Sequence, residues 1–287
     1  MDRIKQMLNL EDASNEISLE IITGIVICLF IYAAWTIIVL LYKKVTNSSD
    51  DTPVIFSGYI NGTKPRVVLQ NPNAEDSITL KRSINENGIE YTYSLWLWID
   101  GDNWNTNIEN SRWRHIFHKG PKTITKLSSV EQVPTESIEI MCPGLWLSPI
   151  DNTLRLYVNT YDTNKEFVDI NNIPIKKWIH LTYTQSNFTT NIYINGRLKK
   201  TYTLHTLPRQ NYYNLYLTQL DGFKGYLSKM QYFNYVIKPG HIYDLAKKGP
   251  NLTLEVDKTL DEQNPNSYLN ANLPYLSNRW WVDDLTL

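Results

Sequence analysis

Most of the chain beyond residue 53 is a succession of short segments in which apolar and polar residues alternate, separated by turn-forming residues. Such alternation predicts half-buried β-strands, and their regular spacing is typical of an all-β sandwich or barrel. Only residues 239–249 look helical in this region. Strands are predicted at residues 66–70, 77–83, 89–100, 113–120, 144–149, 153–162, 166–170, 178–184, 192–194, 197–204, 214–220 and 225–237.

Residues 176–204 show this pattern most fully, as three short strands that fold back on one another. The first strand alternates apolar residues with His180 and two threonines, which predicts one buried face and one wetter face. Asn195 and Gly196 follow the second strand and are the pair favoured in a tight type I′ hairpin. In the third strand, two lysines form an outward basic edge that disfavours edge-to-edge pairing.

Ahead of this region lies a long apolar run without a charge, residues 21–42. Its length is enough to cross a ~30 Å hydrocarbon layer as a helix, and it lacks the basic flank and cleavage site of a signal peptide. We therefore predict a single membrane-spanning helix at residues 17–44. Its boundary and anchor residues are Ile21, Trp35, Tyr42, Lys43 and Lys44.

The two lysines that close the run set the expected orientation. By the positive-inside rule they place the C-terminal bulk on the cytosolic side of the membrane. Of the two cysteines, Cys28 lies in the apolar run and Cys142 lies far away in the polar part of the chain. They cannot staple one soluble domain, which is compatible with a reducing compartment. The resulting organisation is a polar segment (1–16), the span, a linker (45–53), the sandwich (54–250) and a Pro/Asn-rich tail (251–287).

Several separated motifs in this chain resemble one known fold family. The stretch "KWIHLTYTQSNFTTNIYINGRLKK" followed by "DGFKGYLSKMQYFNYVIKPGHIYDLAKKGPN" is similar to laminin-G-like, concanavalin-A-like jelly rolls. The motifs "CPGLWLSP", "INNIPIKKW" and "PYLSNRWWV" resemble virion-associated proteins of large DNA viruses of algae and protists, which often carry one N-terminal span. The resemblance implies a membrane-anchored jelly roll and a role in the virion.

Relatives of this fold include glucanases, so a catalytic role has to be considered. Retaining glucanases need two carboxylates about 5–5.5 Å apart. The nearest match to their E-x-D-x-x-E pattern begins at Glu255 and Asp257, but its final position is Leu260 and it lies beyond the sandwich. The sequence therefore predicts a protein that is not an enzyme.

Metal sites are also not expected from the histidines. His115 and His118 are three apart in a predicted strand, so they should point to opposite faces. His180 is expected to have a hydrogen-bonded structural role. No cofactor is predicted, although Asp100 and Asp102 alternate as Ca²⁺ ligands do and are kept as an alternative.

Exposed aromatic residues in loop or tail contexts are the best candidates for partner or glycan contacts. By this criterion we select Tyr212, Tyr213, Arg279, Trp280 and Trp281. Trp96 and Trp98 share one strand face and are expected to be core residues.

Three functions remain open at this stage. The first is a non-catalytic interaction protein, a minor virion protein that tethers an internal membrane to the capsid, with the bilayer and capsid or membrane proteins as partners. The second is a membrane-anchored lectin that binds glycans, and the third is a glucanase-like hydrolase. The net charge of −1 excludes a broad basic surface for nucleic acid.

Overall fold

The structure is a computed structural model that divides into two units, residues 1–49 and residues 50–287. It describes residues 24–39, 52–74, 76–83, 88–104, 112–122, 127, 129 and 131–255.

In the first unit, residues 24–39 form helix α1. Its apolar side chains are exposed, as at Phe30, Ile31 and Trp35. Among the described residues, no helix combines the length and the hydropathy needed to cross a bilayer. The other predicted anchor residues, Ile21, Tyr42, Lys43 and Lys44, lie outside the described part of the chain.

The described part of the second unit is an all-β sandwich of two six-stranded antiparallel sheets, as predicted. The strands and helices are β1 (Val54–Asn61), β2 (Arg66–Val68), β3 (Glu90–Ile99), β4 (Arg114–Lys119), α2 (Pro134–Ser137), β5 (Gly144–Leu147), β6 (Leu154–Tyr157), β7 (Phe167–Ile170), β8 (Trp178–Ser186), β9 (Thr189–Ile194), β10 (Arg197–Thr203), β11 (Leu215–Leu217), β12 (Gly225–Phe233) and α3 (Pro239–Lys247). The first sheet has the strand order β1-β12-β3-β8-β9-β10, and the second sheet has the order β2-β11-β4-β5-β6-β7.

Strand β3 is buried on both faces. Leu95 and Leu97 belong to the central core between the sheets, whereas Trp96 and Trp98 pack with Trp178 in a separate cluster on the outer face. The prediction that these tryptophans are core residues is confirmed. The outer face of this sheet is therefore covered at β3.

The hairpin between β9 and β10 forms as predicted. Asn195 and Gly196 both have positive φ, 50° and 79°, which a type I′ turn requires. The prediction of a wetter face on β8 is wrong, because His180 and its neighbours on that face are buried. Residues that follow α3, such as Leu252, pack over the outer face of the sheet and exclude solvent.

Two predictions of strands are also corrected. Strand β1 was not predicted; its register against β12 shifts twice, which obscures the alternation of apolar residues. Residues 77–83 form no strand. Instead, Gln70 takes the place of a partner strand: its side chain donates to Ile78 O at 2.8 Å and accepts from Leu80 N at 2.9 Å.

The prediction that His115 and His118 point to opposite faces is wrong. The register between β4 and β5 shifts between His115 and Phe117, and such a bulge breaks the two-residue period. The two rings therefore meet, with His115 Nε2 2.7 Å from His118 Nδ1.

Candidate functional site

A cavity of about 640 Å³ opens at one end of the sandwich, where loops from the second sheet come together. Its walls are two loops, residues 159–164 after β6 and residues 209–213 before β11, together with residues 139–140. Its volume lies within the ~300–1,000 Å³ that is usual for small-molecule sites.

Asn159 holds the three wall segments together. This buried residue accepts a hydrogen bond from Met141 N through Oδ1 at 2.6 Å, and its own backbone N donates to Met141 O at 2.8 Å. Its backbone oxygen accepts from Arg209 N at 2.8 Å, and its amide nitrogen lies 3.4 Å from Glu139 O. The side chain of Asn159 thus attaches the first loop to residues 139–141, and its backbone oxygen attaches the first loop to the second.

Lys119 anchors the second loop from beneath. Its Nζ donates to Tyr213 O at 2.7 Å, and its carbonyl oxygen accepts from Asn211 Nδ2 at 2.9 Å. Burial lowers the pKa of Lys119 to about 8, while the nearby Cys142 thiol acts in the opposite direction. The loop is therefore attached at two points to the end of a core strand.

Three tyrosine rings at this cavity face solvent. Tyr161, Tyr212 and Tyr213 have exposed fractions of 64%, 75% and 48%. Arg82 holds Tyr212 in place: Nη1 donates to the phenol oxygen at 2.9 Å, and the guanidinium lies 5.3 Å from the ring centroid. The exposed Tyr212 ring is thus held by a contact with a distant segment of the chain.

The remaining lining residues are rich in side-chain amides, which can both donate and accept hydrogen bonds. The amide side chains that line the cavity are Asn159, Asn164, Gln210 and Asn211. Tyrosine offers a rigid apolar face with a polar tip, and amides supply adaptable hydrogen bonds. This combination suits a ligand with both apolar C–H faces and many hydroxyls.

Only one of the two loops was predicted from the sequence. Tyr212 and Tyr213 line the cavity, whereas Arg279, Trp280 and Trp281 lie outside the described residues. Tyr161 and its loop were missed because residues 153–162 were predicted as one strand. The turn-forming composition of "NTYDTN" (159–164) was the available signal.

Asp100 and Asp102, the candidate Ca²⁺ ligands, lie beside another cavity, of about 610 Å³. Asp100 Oδ1 accepts from Asp102 N at 3.2 Å and caps a short 3₁₀ turn. Lys176 and Lys224 line the same cavity. Within the described ranges, no three His, Cys, Asp or Glu side chains form a group that could hold a metal ion.

The acidic residues that resemble the glucanase pattern do not line the cavity of about 640 Å³. Glu255 Oε2 accepts from Gly58 N and stands 3.4 Å from Ser57 Oγ, so it fastens the chain to β1. Asp257 and Leu260 lie outside the described residues.

On the outer face of the first sheet, Ser94 Oγ lies 2.8 Å from His180 Nε2, and no described residue is bonded to His180 Nδ1.

The fold and its cavity can now be compared with known proteins. The model of the concanavalin A-like lectin/glucanases superfamily, a laminin-G type, matches residues 72–243. The chain belongs to this superfamily. The match spans most of the sandwich, so the resemblance to concanavalin-A-like jelly rolls is confirmed. No curated protein sequence matches the chain.

Solved structures that are similar to this chain include receptor-binding domains of botulinum neurotoxins. The domain of serotype D has 12% identity and a TM-score of 0.45, with 70% of this chain and 53% of that chain covered. A serotype D domain in complex with N-acetylneuraminic acid has 12% identity and a TM-score of 0.42, with 70% and 51% covered. The binding domain of neurotoxin DC in complex with SialylT has 17% identity and a TM-score of 0.39, with 55% and 35% covered. The chain thus spans about half of these domains or less.

Proposed function

We propose that the protein is a non-catalytic glycan-binding module carried on a membrane-anchored chain. The single observation that supports this proposal is the cavity of about 640 Å³ with three exposed tyrosine rings and four amide side chains. A lectin is expected to show such a concave surface, whereas a protein tether is expected to present a flatter aromatic and charged patch. Geometry therefore favours the lectin alternative over the tether.

Each part of the cavity has a role in this proposal. The faces of Tyr161 and Tyr212 stack on the apolar faces of sugar rings, which tyrosine can do at low entropic cost. Asn164 and Gln210 exchange hydrogen bonds with the hydroxyls. Asn159 and Lys119 act as positioning residues, because their contacts hold the two loops at a fixed separation.

A glycan array probed with the full chain tests this proposal directly. The protein should be kept in a polyoxyethylene detergent, because detergents with sugar headgroups would compete for the cavity. We expect retention of a defined glycan class and an affinity loss of about tenfold or more in Tyr212→Ala, equivalent to about 1.4 kcal/mol. Tyr235→Ala removes an exposed tyrosine that does not line the cavity and should leave binding unchanged. Equal losses in the two variants, or no retained glycan, would contradict the proposal.

Membrane attachment is the second part of the proposal, and it rests on the uncharged run 21–42. Exposed apolar side chains along α1 support it, since a lipid-facing helix is apolar on every side. Extraction of membranes at alkaline pH should leave the chain in the pellet. Protease added to sealed microsomes should digest the sandwich if the domain faces the cytosol, and protection would reverse that orientation.

A role as a minor virion protein that links membrane and capsid remains a prediction. It rests on the resemblance of motifs such as "PYLSNRWWV" (274–282). Crosslinking mass spectrometry on whole particles would name the neighbouring protein. Crosslinks from residues 279–281 to a capsid protein are the expected result for a tether.

A further inference from the structure

A separate cavity of about 270 Å³ lies on the outer side of the first sheet. Its lining comes from four neighbouring strands of this sheet, β1, β12, β3 and β8, and from α3 and the chain that follows it. Apolar contacts come from Val54, Trp96 and Leu245. The proposed glycan site uses none of these residues.

The floor of this cavity contains a buried imidazole with an unused nitrogen. His180 is 1% exposed, its Nε2 lies 2.8 Å from Ser94 Oγ, and no described residue is bonded to Nδ1. A buried polar atom without a partner costs free energy, so a group that hydrogen-bonds to this nitrogen would be bound favourably. When the Ser94 hydroxyl donates to Nε2, the ring proton of the neutral histidine is on Nδ1.

Two lysines line the same cavity. Lys229 has a positive φ of 47° at a bulge in β12, and its Nζ donates to Gly249 O at 2.9 Å. Lys248 follows α3, and its charge lies close enough to repel that of Lys229: burial first, and this repulsion second, lower the pKa of Lys229. The described residues that line the cavity include no Asp or Glu. Positive charge therefore predominates among the lining residues, and the charge of Lys229 acts on the His180 ring. The carboxylate of Glu255 stands 3.4 Å from the hydroxyl of Ser57, which also lines the cavity.

We propose that this cavity is an oxyanion site that binds phosphate or sulfate, free or as a monoester. Lys229 and Lys248 supply the charge, and the His180 Nδ1–H donates a hydrogen bond to one anion oxygen. Hydrogen bonds between charged groups and anion oxygens are stronger than neutral ones. The volume accommodates an oxyanion with a small substituent, and Trp96 offers that substituent an apolar wall.

Calorimetric titration of the full chain, in a polyoxyethylene detergent and a phosphate-free buffer, provides the test. The probes are inorganic phosphate, inorganic sulfate and phenyl phosphate, with chloride at matched ionic strength to remove general screening. We expect saturable binding, and a loss of affinity of about tenfold in Lys248→Gln and in Lys229→Gln. Tighter binding of phenyl phosphate identifies an ester as the ligand, and equal binding identifies the free anion.

Lys247→Gln is the matched control, because Lys247 neighbours Lys248 and is also exposed but does not line the cavity. It should retain full affinity. The ¹⁵N shift of His180 Nδ1 should move on titration, which reports the contact without any substitution. Equal losses in the Lys247 and Lys248 variants, an unmoved His180 signal, or no saturation would each overturn the proposal. Tyr212→Ala should not alter phosphate binding, so this test is separate from that of the glycan site.

Discussion

His115 and His118 share a buried hydrogen bond whose direction is fixed at both ends. Gln219 N is a donor and lies 2.9 Å from His115 Nδ1, so that nitrogen accepts. Pro121 O is an acceptor 2.8 Å from His118 Nε2, so that nitrogen carries a proton. The bond between the rings must therefore run from His115 Nε2–H to His118 Nδ1. Both rings are neutral in this arrangement.

This chain of bonds predicts that the domain loses stability in acid. Burial lowers the pKa of His118 from 6.5 to about 4, and burial together with the neighbouring His118 ring lowers the pKa of His115 well below 6.5. Burial lowers the pKa of His180 to about 3. The histidines of the unfolded chain take up protons at a higher pH than those of the folded chain. The free energy of unfolding is therefore greatest above about pH 6.5 and falls as the pH is lowered towards 4. The slope is at most about 1.4 kcal/mol per pH unit for each histidine.

Urea unfolding across this pH range measures that slope. Replacing His118 by Gln should flatten it, since one titrating group is removed. His241→Gln removes an exposed histidine and should leave the slope unchanged. A free energy of unfolding that does not change between pH 7 and pH 5 would show that the buried rings are not neutral in the folded state.

Gly196 is expected to be sensitive to substitution for two reasons. Its φ of 79° is unfavourable for a residue with a Cβ, and a Cβ there would lie 3.1 Å from Tyr243 Cα in α3. We expect Gly196→Ala to lower the free energy of unfolding by about 1–2 kcal/mol or more. Gly240→Ala is the control: it has open space around it in the first turn of α3 and should be neutral or stabilise by up to about 1 kcal/mol.

Comparing Asn159→Ala with Asn164→Ala should distinguish a residue that positions the loops from a residue that contacts the ligand at the proposed glycan site. The Asn159→Ala change leaves the buried N–H of Met141 without its partner, which costs about 1–3 kcal/mol in unfolding free energy. It should also weaken glycan binding, because the wall at residues 139–141 loses its side-chain attachment to the first loop. Asn164→Ala should weaken binding but change stability by less than about 0.5 kcal/mol. Denaturation curves and glycan titrations of both variants make the comparison. Unimpaired binding in Asn159→Ala would contradict its role as a positioning residue.

Arg155 is expected to be poorly replaced by lysine. Its guanidinium lies 4.5 Å from the Trp113 ring centroid and 3.9 Å from that of Phe167, and it donates to both oxygens of Asp169 at 2.6 and 2.8 Å. Lysine can reproduce neither the planar stacking nor the paired bonds. Thermal or urea unfolding should show a loss of about 1–3 kcal/mol.

Arg112 provides the comparison for that substitution. It bonds Asp221 at 2.6 Å in a more exposed ion pair. Arg112→Lys should therefore cost less than about 1 kcal/mol. Equal losses at the two positions would show that stacking contributes little to the role of Arg155.

The proposed absence of catalysis predicts no turnover of β-glucans by the full chain. Glu255 is occupied by the backbone of Gly58, and the third acidic position of the pattern is Leu260. A reducing-end assay on soluble β-glucans should show no release above a heat-denatured control. Turnover that disappears in Glu255→Gln would contradict the non-catalytic assignment.

The fold was predictable wherever a strand has a strict two-residue period. The alternation of Leu95 and Leu97 with Trp96 and Trp98 predicted two buried faces, and the structure has both. Prediction failed where the backbone leaves that period, as at the bulge after His115. It also failed where a side chain, Gln70, substitutes for a strand, since such pairing depends on tertiary contacts.

The candidate site was predictable only in part for the same physical reason. Aromatic residues in a loop selected Tyr212 and Tyr213 from local sequence alone. The facing loop with Tyr161 is brought to them by bonds of Asn159 to Met141 and Arg209, residues far apart in the chain. The order of apolar, polar and turn-forming residues within one short segment does not indicate hydrogen bonds between residues that are far apart in the chain.

Covering of the first sheet has a consequence for how this domain could diversify. Because the outer faces of β3 and β8 are buried, the middle of that sheet is largely covered by the protein's own chain, apart from the cavity beside His180. The ligand specificity of the proposed glycan site could then be changed by replacing residues 160–164 and 209–213, while Asn159 and Lys119 still attach the loops to the sandwich. Such grafts should change which molecule is recognised without a new fold having to evolve.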